Sequence, residues 1–142
     1  MKRLDLDSYF LEIAKTVSLR STCSRGNTGC VIARDKRVIA TGYNGTPSGA
    51  PHEPHKHSKE ECNAIHAEIN ALNMVAPWQC EGASVYITRS PCPVCSSKLI
   101  KYGFDKVVFS DKHSSFEESL ALFADTKILF QYKPHITYEE VH

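Results

Sequence analysis

The 142-residue sequence has little excess of charge of either sign and no long uninterrupted run of apolar residues. Seventeen lysines and arginines nearly balance sixteen aspartates and glutamates, which leaves a formal net charge of +1. A protein that holds a nucleic-acid polymer usually carries a large basic excess, so this balance argues against such a partner. Any anionic partner is expected to be small.

The missing apolar runs argue against two further classes of protein. No segment reaches membrane-spanning length, and Asp5, Asp7 and Glu12 interrupt the N-terminal stretch, unlike a signal peptide. We therefore expect no membrane partner and a cytoplasmic location, or the host cytoplasm if the origin is viral. In that reducing compartment, clusters among the six cysteines indicate metal binding or catalysis. Cys30 and Cys80, which stand beside apolar residues, fit ordinary buried positions.

Enough apolar material is present for one folded core, because 42% of the residues are apolar and 23% are charged. No repeat or low-complexity tract divides the chain, so residues 1–142 are expected to form a single domain. The spacing of apolar residues predicts helices at 6–17, 63–75, 94–102 and 116–124 and strands at 29–33, 38–41, 83–88, 106–110 and 127–132. Helices between successive strands imply right-handed parallel crossovers in the second half. The expected fold class is α/β, with three α/β/α layers built on a five-stranded mixed sheet.

Two segments lack a regular pattern. Residues 42–61 are rich in glycine, proline, histidine and charge, and so long a loop inside a compact domain usually has a function. Residues 133–142 follow the last predicted strand, which Pro134 ends, and are expected to form a weakly ordered tail.

Two short motifs carry the clearest chemical signal, His66-Ala67-Glu68 and Pro91-Cys92-Pro93-Val94-Cys95, each at the predicted head of a helix. A catalytic zinc site uses three nitrogen or sulfur ligands and leaves a fourth position to water. His66, Cys92 and Cys95 supply three such ligands, and a helix N-terminus further favours thiolates. Glu68 can take a proton from the water and pass it to a leaving amine.

Each motif alone has an ordinary alternative. An isolated Cys-x-x-Cys pair is also typical of thioredoxin-like redox sites, and a lone histidine in a helix usually packs or faces solvent. A structural zinc site would need a fourth protein ligand, and none stands close by in the sequence. Both motifs together, in this order and separated by a predicted strand, form the known signature of zinc nucleobase deaminases.

Further motifs extend this signature over about residues 5–132 of the chain. They are Gly42-Tyr43-Asn44-Gly45-Thr46-Pro47-Ser48-Gly49, Ser24-Arg25 followed by Gly29-Cys30-Val31-Ile32, His66-Ala67-Glu68-Ile69-Asn70-Ala71, and Phe109-Ser110-Asp111-Lys112. With them the chain resembles the zinc-dependent cytidine and deoxycytidylate deaminase superfamily, and most closely its deoxycytidylate (dCMP) branch. The resemblance implies a cytidine-deaminase-like fold and Zn²⁺-dependent hydrolysis of dCMP to dUMP and ammonia, which supplies thymidylate synthesis. The resemblance also implies attack on C4 of the base, with Glu68 as the proton shuttle.

The resemblance also implies how such an enzyme assembles and is regulated. Relatives are commonly homohexamers, and many are activated by dCTP and inhibited by dTTP, with Mg²⁺. The same assembly, the same effectors and a small deoxynucleotide substrate are therefore expected for this chain.

Residues outside the zinc motifs are candidates for binding substrate. Asn44 can offer a donor and an acceptor to the sugar or the base, although an Asn-Gly pair is also a common turn. Arg25, with Ser24 beside it, has the geometry to hold a monophosphate, although an ordinary solvated arginine is the alternative.

The irregular loop has candidates for a second metal site. Some relatives bind a second, structural zinc in the corresponding region, and the candidate ligands here are Cys23, His52, His55, His57 and Cys62. A metal there would replace the packing that the loop lacks. The alternatives are a solvent-facing loop or one that lies at a subunit contact.

Other functions stay open on the sequence. The same chemistry could act on dCTP, on both nucleotides, on a free nucleoside, on guanine or on adenosine in transfer RNA. A protein of another class would be a catalytically silent zinc module for assembly or binding, and the presence of Glu68 argues against it.

Overall fold

The computed structural model describes residues 1–23, 26–46 and 65–142. Its elements in chain order are β1 (Lys2–Leu4), α1 (Leu6–Ser18), β2 (Gly29–Arg34), β3 (Arg37–Tyr43), α2 (Ala67–Leu72), α3 (Pro77–Cys80), β4 (Ser84–Ile87), α4 (Pro93–Lys101), β5 (Lys106–Phe109), α5 (Phe116–Ala124), β6 (Leu129–Tyr132) and β7 (Tyr138–Glu140). The predicted helix 63–75 proves shorter in its described part, because α2 ends at Leu72. Pro77 begins a separate short helix, a position where its missing N–H is tolerated. Across the described ranges, no helix is long and apolar enough to cross a membrane.

Five strands form one mixed sheet in the order β3-β2-β4-β5-β6. β2 runs antiparallel to β3 and β4, whereas β4, β5 and β6 run parallel to one another. The β2–β3 hairpin closes through Asp35 and Lys36, whose positive φ angles of 52° and 65° are typical of a type I′ turn. The predicted five-stranded mixed sheet and its parallel second half are confirmed.

Helices cover both faces of this sheet. Val31 and Ala33 of β2 pack against α1, whereas Cys30 and Ile32 face a second apolar cluster that includes residues of α2, α4 and α5. The alternation follows from the two-residue period of a strand, and each of these four side chains is at most 4% exposed. The predicted three-layer α/β/α architecture is confirmed.

α2 lies in direct backbone contact with β3 at Gly42. A Cβ atom at this position would lie 2.3 Å from the carbonyl oxygen of Ala67 and 2.5 Å from the nitrogen of Ala71. Since only a hydrogen atom fits there, the first glycine of the Gly-Tyr-Asn-Gly motif permits this close approach. The start of α2 is thereby fixed against the sheet.

One end of the sheet collects the strand ends that lead to the chemical motifs. Gly29, where β2 begins, pairs with Tyr43, where β3 ends. Ile87 and Phe109, the last residues of β4 and β5, pair with each other, and Ile87 also pairs with Cys30. Ligands of open α/β sheets bind at the carboxyl ends of strands, so this end is the place to look for a site.

The C-terminal segment 133–142 differs from the expectation of a weakly ordered tail. β7 pairs antiparallel with β1 in a separate two-stranded sheet. Thr137 ties this segment to the start of α1, because its N–H donates to the Ser8 hydroxyl at 2.9 Å and its hydroxyl donates to the Asp5 carboxylate. Pro134 follows β6, as predicted. The pairing of β1 with β7 was not predicted, because contact between the two ends of a chain leaves no local pattern in the sequence.

Asp5 is expected to contribute pH-dependent stability. Its carboxylate caps α1 by accepting from the Ser8 N–H at 2.8 Å. Burial alone would raise its pKa, but hydrogen bonds from Thr137 and Ser8 and the charge of Lys133 leave the pKa below its ordinary value. Asp5→Ala should therefore lower the free energy of unfolding by about 1 kcal/mol at neutral pH, as measured by urea denaturation.

Asp5→Asn is the matched control, because its amide oxygen can still cap the helix while the charge is lost. Because the pKa of Asp5 is lower in the folded than in the unfolded state, its charge stabilises the fold fully above the unfolded-state pKa of about 4. This stabilisation is lost as the pH falls through the folded-state pKa. The advantage of the native protein over Asp5→Asn should therefore shrink on acidification through that range. A gap between the two proteins that stays constant with pH would show that the Asp5 charge contributes nothing.

Candidate active site

The position of His66 is set by a backbone contact between the residue before it, Ile65, and Gly45 just after β3. Gly45 and Ile65 exchange backbone hydrogen bonds of 3.1 and 2.7 Å, which hold the start of α2 beside the end of β3. His66 is the N-cap residue of that helix. Asn70, one turn further on, donates from its side chain to the Tyr43 carbonyl at 2.7 Å and holds the helix in place.

Cys92 and Cys95 lie at the start of α4. Cys92 is the N-cap residue, Pro93 follows it in the first turn, and the Cys92 sulfur accepts from the Cys95 N–H at 3.5 Å. An N-terminal cap position favours a negatively charged sulfur, because the first backbone N–H groups of a helix have no partner within it.

The peptide that leads into Cys92 is held by two serines that the sequence offered no signal to identify. Ser96 and Ser119 both donate hydrogen bonds to the Pro91 carbonyl, at 3.3 and 2.6 Å. Both serines are completely buried. Ser119 belongs to α5, so two helices fix the backbone beside the first cysteine.

The three predicted ligand residues converge in one cluster. The His66 Nδ1 atom lies 3.3 Å from the Cys95 sulfur and 3.5 Å from the Cys92 sulfur, and all three donor atoms lie within 4.8 Å of one another. Tetrahedral zinc with ordinary bond lengths separates such donors by about 3.5–3.8 Å, so the cluster fits Zn²⁺. In the part of the chain that the structure describes, no fourth residue joins this cluster, as a catalytic site with an open position requires.

The two sulfurs differ in their proton affinity before metal is bound. Hydrogen bonds from Cys95 and His66 outweigh burial and lower the pKa of Cys92 to about 3. The hydrogen bond to Cys92 and burial raise the pKa of Cys95 far above its ordinary value. Zinc takes cysteine as the thiolate, so the lowered pKa of Cys92 favours its role as a ligand.

Glu68 lies beside the ligand cluster without belonging to it. Its carboxyl group hydrogen-bonds the Cys95 side chain, and burial raises its pKa above the ordinary value. The residue is only 4% exposed, at the second position of α2. A carboxyl group with a raised pKa next to a metal can both accept and donate a proton.

The other predicted site residues have mixed outcomes. Asn44 follows β3, where its Nδ2 donates to the Gly26 carbonyl at 2.7 Å and its Oδ1 accepts from the Thr28 N–H at 2.8 Å. It therefore joins two loops at the site end of the sheet, and its contact with substrate stays a prediction. Of the predicted second-zinc ligands only Cys23 is described, and it is half-buried. The predicted residues outside the described ranges are Ser24, Arg25, His52, His55, His57 and Cys62.

Comparison with known families agrees with the arrangement of these residues. The family model described as "Cytidine and deoxycytidylate deaminase zinc-binding region" matches residues 4–111. The chain belongs to this deaminase family. The match contains both zinc motifs, and it confirms the family predicted from the sequence.

Named relatives of this deaminase include viral and cellular proteins. Deoxycytidylate deaminase of Mycobacterium phage D29 is 37% identical over 124 residues, which cover 77% of this chain and 97% of the relative. Deoxycytidylate deaminase of Saccharomyces cerevisiae is 35% identical over 139 residues, which cover 90% of this chain. The chain spans 45% of the length of that yeast protein.

Solved structures show the same fold. The structure described as dCMP deaminase from the cyanophage S-TIM5 in complex with dCMP and dUMP superposes with a TM-score of 0.80. It is 24% identical to this deaminase, and the match covers 90% of this chain and 96% of that one. The cytidine-deaminase-like fold predicted from the sequence is confirmed.

Proposed function

We propose that this deaminase hydrolyses dCMP to dUMP and ammonia with the help of Zn²⁺, and so supplies dUMP for thymidylate synthesis. The observation that carries the proposal is the buried Glu68 carboxyl beside a His66, Cys92 and Cys95 cluster of zinc-binding geometry. The similarity of this chain to proteins named deoxycytidylate deaminase supports dCMP as its substrate.

The proposed roles follow from the chemistry of each side chain. His66, Cys92 and Cys95 hold the zinc, which when bound lowers the pKa of a water molecule and so supplies a nucleophile at neutral pH. Glu68 accepts a proton as the water oxygen bonds to C4 of the cytosine. Glu68 then delivers that proton to the amine, the C4–N bond breaks and ammonia leaves, while the second proton of the water moves from the C4 hydroxyl to N3 of the base. One water is consumed, and the C4 amine is replaced by the oxygen of uracil.

Three residues outside the ligand cluster are proposed to contact the substrate. Asn44 binds the sugar or the base with the one Nδ2 hydrogen and the one Oδ1 lone pair that its loop contacts leave available. Arg25 and Ser24 bind the phosphate, as their residue types and the family resemblance suggest.

Regulation and assembly are proposed on the family resemblance. The deaminase forms a homohexamer in the cytoplasm, or in the host cytoplasm if it is viral, and responds to dCTP as activator and dTTP as inhibitor with Mg²⁺. A second, structural zinc is held by residues among Cys23, His52, His57 and Cys62.

The proposal predicts a clear order among three substrates. Purified protein with full zinc should deaminate dCMP faster than dCTP or deoxycytidine, as measured by ammonia release. Higher turnover of dCTP would keep the mechanism and overturn the substrate. No turnover of any of the three, even with dCTP added as activator, would overturn the proposed function and support a silent zinc module.

A further inference from the structure

Arg89 stands in the segment that joins β4 to the first cysteine ligand. It follows β4 by two residues and precedes Cys92 by three. Ile87, two residues earlier in the alternating strand, faces the side of the sheet covered by α2 and α4. Arg89 is half-buried, and its position in the chain places it on the direct route from β4 to the first cysteine ligand.

The guanidinium group of Arg89 lies against the backbone of Gly26. A Cβ atom at Gly26 would stand 3.3 Å from Nη2 and 3.6 Å from Nη1 of Arg89. Gly26 also has a φ of +146°, a conformation that glycine adopts readily. The carbonyl of the same glycine accepts the hydrogen bond from Asn44, so the guanidinium and the Asn44 amide contact one loop.

The charge of Arg89 has no protein partner in the described ranges. The hydrogen bonds and ion pairs of that part of the chain leave it unmatched. Arg34 donates to three backbone carbonyls, and Arg3 forms an ion pair at 3.0 Å. Arg20 and Arg37 also have no partner in that part of the chain, but both are exposed, whereas Arg89 is half-buried. A half-buried guanidinium without a carboxylate is a suitable partner for an anion that comes from solution.

On the basis of the proposed function, we propose that Arg89 binds the 5′-phosphate of dCMP and makes the enzyme prefer the nucleotide over the nucleoside. The base must present C4 to the ligand cluster and to Glu68, so the phosphate is the anionic group left for a cation at the rim. Arginine stays charged at every working pH, and its planar fork matches phosphate oxygens.

The test compares substrates with and without the phosphate. Arg89→Ala should lower kcat/KM for dCMP at least about tenfold more than it lowers kcat/KM for deoxycytidine, because a charge-assisted contact to the phosphate is lost. The effect should appear mainly in KM. Arg89→Lys should restore part of the preference, since it keeps the charge but not the fork. Arg37→Ala is the control, because Arg37 is exposed at the opposite end of the sheet.

Binding of products gives a readout that does not require turnover. The affinity for dUMP relative to deoxyuridine, measured by calorimetry, should fall in Arg89→Ala by a similar factor. Equal losses for both members of a pair, or an unchanged preference, would overturn the assignment of Arg89 while leaving the proposed function intact. A native protein that deaminates neither dCMP nor deoxycytidine would overturn the proposed function instead, and the two product affinities would then decide the role of Arg89.

Discussion

Glu68→Gln is expected to reduce deamination of dCMP by about a thousandfold or more while zinc stays bound, because general acid–base catalysis typically contributes factors of this order. Glutamine has nearly the same shape as glutamate and can still occupy the buried position beside Cys95. It cannot accept a proton from water and return it to the leaving amine. The measurement is ammonia release under saturating dCMP, with the zinc content determined on the same samples.

Glu118→Gln provides the matched control for this variant. Glu118 lies in the first turn of α5 and is exposed, so the same chemical change there should leave turnover unaltered. Turnover by Glu68→Gln within about tenfold of the native rate, with zinc retained, would show that another group shuttles the proton. Loss of zinc together with activity would instead identify Glu68 as a residue that holds the metal site together.

Cys95→Ser is expected to abolish zinc binding and turnover together. Cys95 is buried and supplies one of the three donor atoms, and a serine hydroxyl at neutral pH is a poor replacement for a thiolate. Changes that only perturb the surroundings of a metal already cost 10–100-fold in affinity, so loss of a ligand should weaken zinc binding by more than about 100-fold. The measurement is zinc affinity by competition with a chromophoric chelator.

Thermal unfolding supplies a second readout of the same site. A metal that binds only the folded state stabilises that state, and more so the further its free concentration exceeds its Kd. A chelator should therefore lower the Tm of the native protein. The Tm of Cys95→Ser should no longer respond to the chelator. Cys80→Ala is the control, because Cys80 is buried but lies outside the ligand cluster; it should keep both the zinc and the response. A Cys95→Ser protein with native zinc affinity would exclude Cys95 as a ligand.

The sequence was sufficient to predict the sheet, its layers and the composition of the ligand cluster. Strand alternation and helical spacing are local signals, and both chemical motifs precede helices, so their convergence followed from the α/β architecture. The contacts of Ser119 and Arg89 could not be predicted, because each joins residues that are distant in the chain and whose types are common elsewhere. Pairing of β1 with β7 escaped prediction for the same reason.

The close backbone contact between α2 and β3 constrains how this enzyme can adapt to new substrates. With only a hydrogen atom of Gly42 between strand and helix, the helix that carries Glu68, with His66 as its cap, cannot slide without parting from the sheet. The positions of His66 and Glu68 therefore cannot shift to accommodate a different base or a longer phosphate chain. If Asn44 and Arg89 have the roles proposed for them, diversity of substrate is expected to arise at those two residues rather than in α2.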